Sequence, residues 1–96
     1  MFKIDLNSKT NTISLSGKFD GSRVKVANEV FDQVNSSVTV DMKNLDYISS
    51  AGIGILIQTY VRLKKTDQKI NLTNLNNHIR EVFKISKLDT VFDLEN

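Results

Sequence analysis

The sequence of 96 residues contains no cysteine and only one histidine. Without cysteine there is no disulfide bond, no thiolate nucleophile and no cysteine-ligated metal. A zinc site built on His78 would need carboxylates for its other ligands, and no recognisable ligand spacing surrounds it. We therefore expect no metal and no cofactor, and we interpret His78 as a solvated side chain near a helix start.

Long apolar runs and clusters of one charge are also missing. The longest apolar run is Ile55-Leu56-Ile57, far short of the ~20 residues of a membrane helix. No signal-peptide core follows residues 1–5. We therefore expect a cytoplasmic protein without membrane insertion. The 13 basic and 11 acidic residues are dispersed, and the longest basic run is Lys64-Lys65, so no nucleic-acid footprint is present.

The length predicts one domain, residues 1–96, and its hydrophobic periodicity predicts the element order β-β-α-β-α-β-α-β. Strands are expected at 2–6, 13–17, 38–41, 70–73 and 91–94, and helices at 24–34 and 53–65. Apolar residues between 79 and 85 mark a third helix that is expected to end near 86–87. Helices between the later strands imply parallel pairing with right-handed crossovers. The predicted fold is a single α/β domain with a mixed sheet of about five strands. Its N-terminal hairpin is antiparallel, the rest is largely parallel, and three helices cover it.

The stretch from 47 to 54 joins the predicted strand at 38–41 to the predicted helix at 53–65. Two hydroxyls, Ser49 and Ser50, precede the helix together with the glycines Gly52 and Gly54. Free N–H groups and the positive end of the helix dipole tolerate an anion at such a position. A phosphate there would add about −1.5 to −2 charge and could release a bound partner by desolvation and repulsion. From these residues alone, each hydroxyl is either a helix cap or a chemical handle.

The helix at 53–65 is predicted from apolar residues at steps of three and four. The apolar residues that follow the period of an amphipathic helix are Ile53, Leu56, Ile57, Tyr60, Val61 and Leu63. Upstream, Asp20 or Ser22 can cap the predicted helix at 24–34.

Enzyme motifs are incomplete. Ser50, His78 and Asp20 could form a hydrolase triad, but their order differs from that of the α/β-hydrolases, and Ile48 stands where the nucleophile elbow needs glycine. The G-x-G-x-x-G pattern that starts at Gly52 fails at Ile57, and there is no Walker phosphate loop. We therefore expect no catalytic activity.

Several segments resemble the STAS domain family of bacterial anti-sigma-factor antagonists. They are V-T-V-D at 38–41, Y-I-S-S-A-G-I-G-I-L at 47–56, G-K-F-D at 17–20, and the apolar pattern from 70 to 92. The resemblance implies partner switching. The unphosphorylated protein would bind a serine kinase that is also an anti-sigma factor, phosphorylation from ATP would break the complex, and a PP2C-type phosphatase would restore it. The chain would then be a substrate and a ligand.

The resemblance also implies where the partner binds. The implied surface includes the exposed part of the helix at 53–65 and the following residues: Asp20, Ser49, Ser50, Ala51, Gly52, Ile53 and Gly54.

The chain departs from the family pattern at the phosphorylation site. The best-known members read D-S-[ST]-G-[ILV]-G, with the accepting hydroxyl directly before glycine. Here Ala51 occupies that column, Ser50 matches the preceding serine, and Ser49 replaces the acidic residue. Either Ser50, preferred over Ser49, accepts the phosphate from a shifted position, or the protein is not phosphorylated. In the second case the chain would be a STAS-like protein-binding module of a larger transport or sensory complex.

Overall fold

The computed structural model describes residues 1–95 of the chain. Over this range the strands are β1 (Lys3–Asn7), β2 (Thr12–Phe19), β3 (Val38–Ile48), β4 (Ile70–Thr73) and β5 (Asp93–Glu95). The helices are α1 (Val24–Phe31), α2 (Ser50–Lys64) and α3 (Asn77–Ile85). Short 3₁₀ turns at Gly21–Arg23 and Leu88–Thr90 precede α1 and β5.

The strands form one sheet in the order β1-β2-β3-β4-β5. The β1–β2 hairpin is antiparallel and the remaining pairs are parallel, which confirms the predicted mixed sheet. Because β2 to β5 follow one another in sequence and in space, right-handed crossovers place the three helices on the same face. Ile13, Val40 and Leu72 are fully buried beneath those helices. This arrangement puts all three helix N-termini at the edge where the parallel strands end.

Helix α1 is short and is held at its C-terminal end by α2. The sequence predicts a helix to Val34, but α1 ends at Phe31, and Val34 is buried beyond it. The guanidinium of Arg62 on α2 donates hydrogen bonds to the carbonyl oxygens of Phe31 (2.8 Å) and Val34 (2.6 Å). Terminal carbonyls of a helix need outside donors, and Arg62 supplies them from the neighbouring helix.

Strand β3 is much longer than the sequence predicts, reaching Ile48 instead of ending at Asp41. Its pairing with β2 shifts register twice, between Ser14 and Ser16 and between Gly17 and Lys18 of β2. Each bulge adds a residue on β3 and breaks the alternation by which a strand is recognised in sequence. The extension carries β3 to the same edge as the end of β2.

The C-terminal part differs in its boundaries, and α3 begins at Asn77, two residues before the first predicted apolar position. Residues 88–90 form a 3₁₀ turn, and β5 begins at Asp93 rather than at the predicted 91. Phe92, just before β5, is buried edge-on against the rings of Tyr60 and Phe83, with centroids 5.6 and 5.9 Å away. This aromatic contact fixes the entry into β5.

Candidate functional site

The candidate site lies where β2 and β3 end side by side. Phe19 is paired with Ile48, and the backbone N–H of Ser49 donates to the carbonyl oxygen of Phe19 at 2.9 Å. The next residues of the two strands, Asp20 and Ser49, therefore leave the sheet at neighbouring positions. The structure thus brings the predicted upstream residue and the predicted serines to one edge.

Ser49 is the N-cap of α2. Its backbone is extended (φ −87°, ψ 171°), and its hydroxyl accepts a hydrogen bond from the N–H of Gly52 at 3.3 Å. Its carbonyl oxygen accepts the N–H of Ile53 at 2.9 Å, which begins the helical ladder. The side chain is partly buried. The hydroxyl of Ser49 therefore satisfies one of the free N–H groups at the helix start.

Ser50 and Ala51 are the first two residues of α2, and both are exposed. Within residues 1–95 the hydroxyl of Ser50 has no hydrogen-bond partner. Of the two adjacent hydroxyls, one is thus committed to the helix cap and the other faces solvent. Ala51 presents only a methyl group beside it.

The two glycines have different surroundings. A Cβ on Gly52 would lie 2.9 Å from Cγ1 of Ile48 and 3.1 Å from Cγ of Phe19, so a side chain there would collide with the buried strand ends. A Cβ on Gly54 would meet no atom within 4 Å. Gly52 therefore allows the helix start to pack closely on the sheet, whereas packing within the fold does not require glycine at position 54.

Asp20 is held by its own loop. Its carboxylate accepts hydrogen bonds from the hydroxyl of Ser22 (2.5 Å) and the N–H of Ser22 (2.9 Å), so it caps the 3₁₀ turn that leads into α1. These two hydrogen bonds, with weaker attraction from Arg23 and Lys18, hold the pKa of Asp20 below its ordinary value. The candidate site thus carries a fixed negative charge at its β2 side.

The outer face of α2 carries an apolar stripe that begins at the serines. Ser50, Gly54, Ile57 and Val61 follow one another at helical spacing, with Ile57 and Val61 36% and 50% exposed. Ile57 and Val61 belong to the predicted apolar pattern of the helix, but they are not buried in the core. The buried residues of α2 are Gly52, Ile55, Leu56, Thr59 and Leu63. The two remaining residues of the predicted apolar pattern, Ile53 and Tyr60, are partly buried against the core.

In the described part of the chain, His78 and the acidic residues do not form a recognisable metal site. His78 is exposed on the first turn of α3, where the side chain of Asn76 caps the helix by accepting from the N–H of Ile79 at 2.8 Å. No group of three or more metal-ligating side chains is present among residues 1–95. Over the same range, no helix combines the length and apolarity needed to cross a membrane.

Comparison with known proteins connects this geometry to a family. The family profile described as "Mlab, STAS domain" matches residues 2–95. The chain belongs to the STAS domain family. This confirms the resemblance seen at positions 17–20 and 47–56.

Two relatives of this STAS domain are described as anti-sigma factor antagonists. BtrV of Bordetella bronchiseptica, provisionally described as an anti-sigma factor antagonist, is 35% identical over 65 residues. That match covers 68% of the chain and only 56% of BtrV. The anti-sigma-B factor antagonist of Bacillus subtilis is 23% identical over 96 residues, covering 95% of the chain and 88% of that protein.

The fold of this STAS domain is shared with solved structures. The phosphorylated form of the Bacillus cell fate determinant SpoIIAA superimposes with a TM-score of 0.72 at 16% identity, covering 100% of this chain and 91% of that chain. At this identity the likeness establishes the fold alone.

Proposed function

We propose that this STAS domain is a partner-switching protein that binds an anti-sigma factor with serine kinase activity and is released by phosphorylation of Ser50. The observation that carries the proposal is the exposed, unbonded hydroxyl of Ser50 at the head of the apolar stripe on α2. Relatives named as anti-sigma factor antagonists support the class of partner. A relative of the same fold exists in a phosphorylated form, which supports the type of switch.

Ser50 is the preferred acceptor because its hydroxyl is available. A kinase must bring the γ-phosphorus of ATP in line with the accepting oxygen, which requires an accessible side chain. Ser50 is exposed, whereas the partly buried hydroxyl of Ser49 already accepts from the N–H of Gly52. Phosphorylation of Ser49 would first have to break that cap, which typically stabilises a protein by about 0.5–2 kcal/mol.

The proposed phosphate changes the partner surface more than the fold. At the first position of α2 it lies near free N–H groups and the positive helix end, which favour an anion by about 0.3–1 kcal/mol in exposed settings. The same dianion would stand beside Gly54 and Ile57, where a partner would make apolar contact. Burying it unpaired in that contact is costly, so the complex should dissociate while the domain stays folded.

The remaining roles follow from this switch. We propose that the surface consists of Asp20, residues 49–54 and the apolar stripe of α2. A PP2C-type phosphatase would remove the phosphate and restore binding. The chain itself would be the substrate of both enzymes without catalysing a reaction, and it would act in the cytoplasm with its partners.

The switch is tested with the cognate kinase, ATP and peptide mass spectrometry. We expect one phosphate on Ser50, none on the Ser50→Ala variant, and continued phosphorylation of Ser49→Ala. In calorimetry, Ser50→Ala should bind the partner as the unmodified protein does. Ser50→Asp should bind about thirtyfold or more weakly, the order expected for an unpaired charge in an interface. Equal affinity of the two Ser50 variants would refute the switch.

The binding surface is tested separately from the phosphate. Ile57→Asp puts a charge into the apolar stripe at an exposed position, so it should leave the fold intact and weaken partner binding by at least about tenfold. Val26→Asp is the matched control, because Val26 is an exposed valine on α1, 43% accessible. If both variants bind equally well, the stripe is not the contact surface.

A second candidate function is favoured by Ala51. Because this position carries a methyl group where the family pattern has a hydroxyl, the chain could be a constitutive protein-binding module of a transport or sensory complex. In that case Ile57→Asp would still weaken binding, but kinase treatment would add no phosphate to Ser49 or Ser50. The two experiments together therefore distinguish the candidates.

A further inference from the structure

A groove lies at the end of α2 opposite to Ser50. It is enclosed by the last turns of α2, the loop into β4 and the segment before β5, and its volume is about 270 Å³. Its lining residues are Tyr60, Lys64, Asp67, Gln68, Lys69, Ile70 and Val91. This groove is separate from the surface proposed for partner binding, which begins at the opposite edge of the sheet.

The groove has an apolar body. Ile70 is buried at its base, and Val91 is 39% exposed beside it. The ring of Tyr60 is held in place by edge-on contact with Phe92, at a centroid distance of 5.6 Å. A flat or branched apolar group could therefore pack between the Tyr60 ring and Val91.

The polar part of the groove is mostly positive. Lys64 and Lys69 are basic, and among the described lining residues Asp67 is the acidic one. The ammonium of Lys64 donates to the hydroxyl of Tyr60 at 3.3 Å and lies 5.5 Å from the centre of that ring. In the part of the chain that the structure describes, neither lysine is paired with a carboxylate. Both ammonium groups can therefore receive an anionic group of a ligand.

The loop that carries Lys69 is fixed by hydrogen bonds from outside the groove. The side-chain oxygen Oε1 of Gln68 accepts from the N–H of Ser37 (2.8 Å) and from its hydroxyl (3.1 Å). The N–H of Lys69 donates to the hydroxyl oxygen of Ser37 at 2.9 Å, and its carbonyl oxygen accepts from Val38 at 2.9 Å. The groove is thus formed before any ligand binds, which reduces the entropic cost of binding.

We infer that this groove binds a small carboxylate with an apolar body. The ring or branched chain of the ligand packs on Tyr60, Ile70 and Val91. Its carboxylate lies between Lys64 and Lys69. The volume is just below the range of about 300–1,000 Å³ of small-molecule pockets, so the ligand is small. The inference is independent of the proposed switch, since neither Ser50 nor the apolar stripe contributes to it.

The test is an amide NMR titration of the full chain with 1-naphthoate, with uncharged 1-naphthalenemethanol as the matched probe. We expect saturable shifts confined to the amides of the groove, which are those of Tyr60, Lys64, residues 67–70 and Val91. The neutral probe should bind at least about fivefold more weakly if the lysines contact the carboxylate. Equal affinity for the two probes, shifts elsewhere, or no saturation would overturn the inference.

Variants then test the two lysines. Lys64→Ala and Lys69→Ala should each weaken naphthoate binding by about two- to fivefold, as expected for exposed charge contacts. Lys65→Ala is the matched control, because Lys65 is exposed next to Lys64 but does not line the groove. Val91→Asp should abolish binding by placing a carboxylate in the groove. If Lys65→Ala weakens binding as much as Lys64→Ala, or Val91→Asp has no effect, the assigned site is wrong.

Discussion

Replacing each of the two glycines in the first turns of α2 with alanine should change stability in opposite directions. In a helix, alanine is favoured over glycine by about 0.5–1 kcal/mol because glycine loses more backbone freedom on folding. Gly54→Ala should gain this amount, since its Cβ would meet no atom within 4 Å. The variant should therefore have a higher free energy of unfolding than the parent protein.

Gly52→Ala should instead lower the free energy of unfolding. Its Cβ would lie 2.9 Å from Cγ1 of Ile48 and 3.1 Å from Cγ of Phe19. Phe19 is fully buried and Ile48 is 5% exposed, so neither side chain can move away cheaply. Overpacking of this kind costs about 1–3 kcal/mol, which exceeds the gain in helix propensity. The expected net loss is about 0.5–2 kcal/mol.

Urea denaturation of the parent and both variants, followed by circular dichroism, measures the difference. A double-mutant cycle with Ile48→Ala adds a check, because that change removes the nearest clashing atom and should reduce the cost of Gly52→Ala. If Gly52→Ala were as stabilising as Gly54→Ala, the close packing of the helix start on β2 and β3 would be refuted.

Two further predictions concern charged side chains. Arg62→Ala should lower the free energy of unfolding by about 1–3 kcal/mol because the carbonyl oxygen of Val34 loses its guanidinium donor and that of Phe31 keeps only the N–H of Val34. Urea denaturation should show a smaller loss for Lys65→Ala. The pKa of Asp20 is lower in the folded state than in the unfolded state. The ionised carboxylate therefore stabilises the fold above its unfolded pKa, and this stabilisation is lost as the pH falls through its folded pKa. Melting temperatures between pH 5 and 2 should therefore fall less for Asp20→Asn than for the parent, and identical pH profiles would contradict this.

The sequence predicted the strands and helices well where the local hydrophobic pattern agrees with the tertiary packing. Strand β4 was expected at 70–73 and is Ile70–Thr73. The short alternation there lies between polar loops, and no bulge disturbs it. The element order and the mixed sheet are confirmed for the same reason.

Other features depend on tertiary contacts that a sequence pattern does not contain. The end of α1 at Phe31 depends on Arg62, which is distant in sequence. The exposure of Ile57 and Val61 could not be inferred because apolar periodicity does not distinguish a helix face buried in the core from one left for a partner. Likewise, the sequence alone does not show which serine caps the helix, because that depends on the hydrogen bond from the N–H of Gly52 to the hydroxyl of Ser49.

The two bulges in β3 determine how the chain tolerates changes in length. From Ser14 to Phe19, β2 advances five positions, while β3 advances seven from its partner Asp41 to Ile48. A one-residue deletion within 42–47 would turn either Leu45 or Ile48 out of the core, or else pull Ser49 away from the end of β2. Deleting one residue at each bulge would restore the pairing and keep the serines at the edge. Across related sequences, residues should therefore be lost from this segment in pairs, even where their identities vary freely.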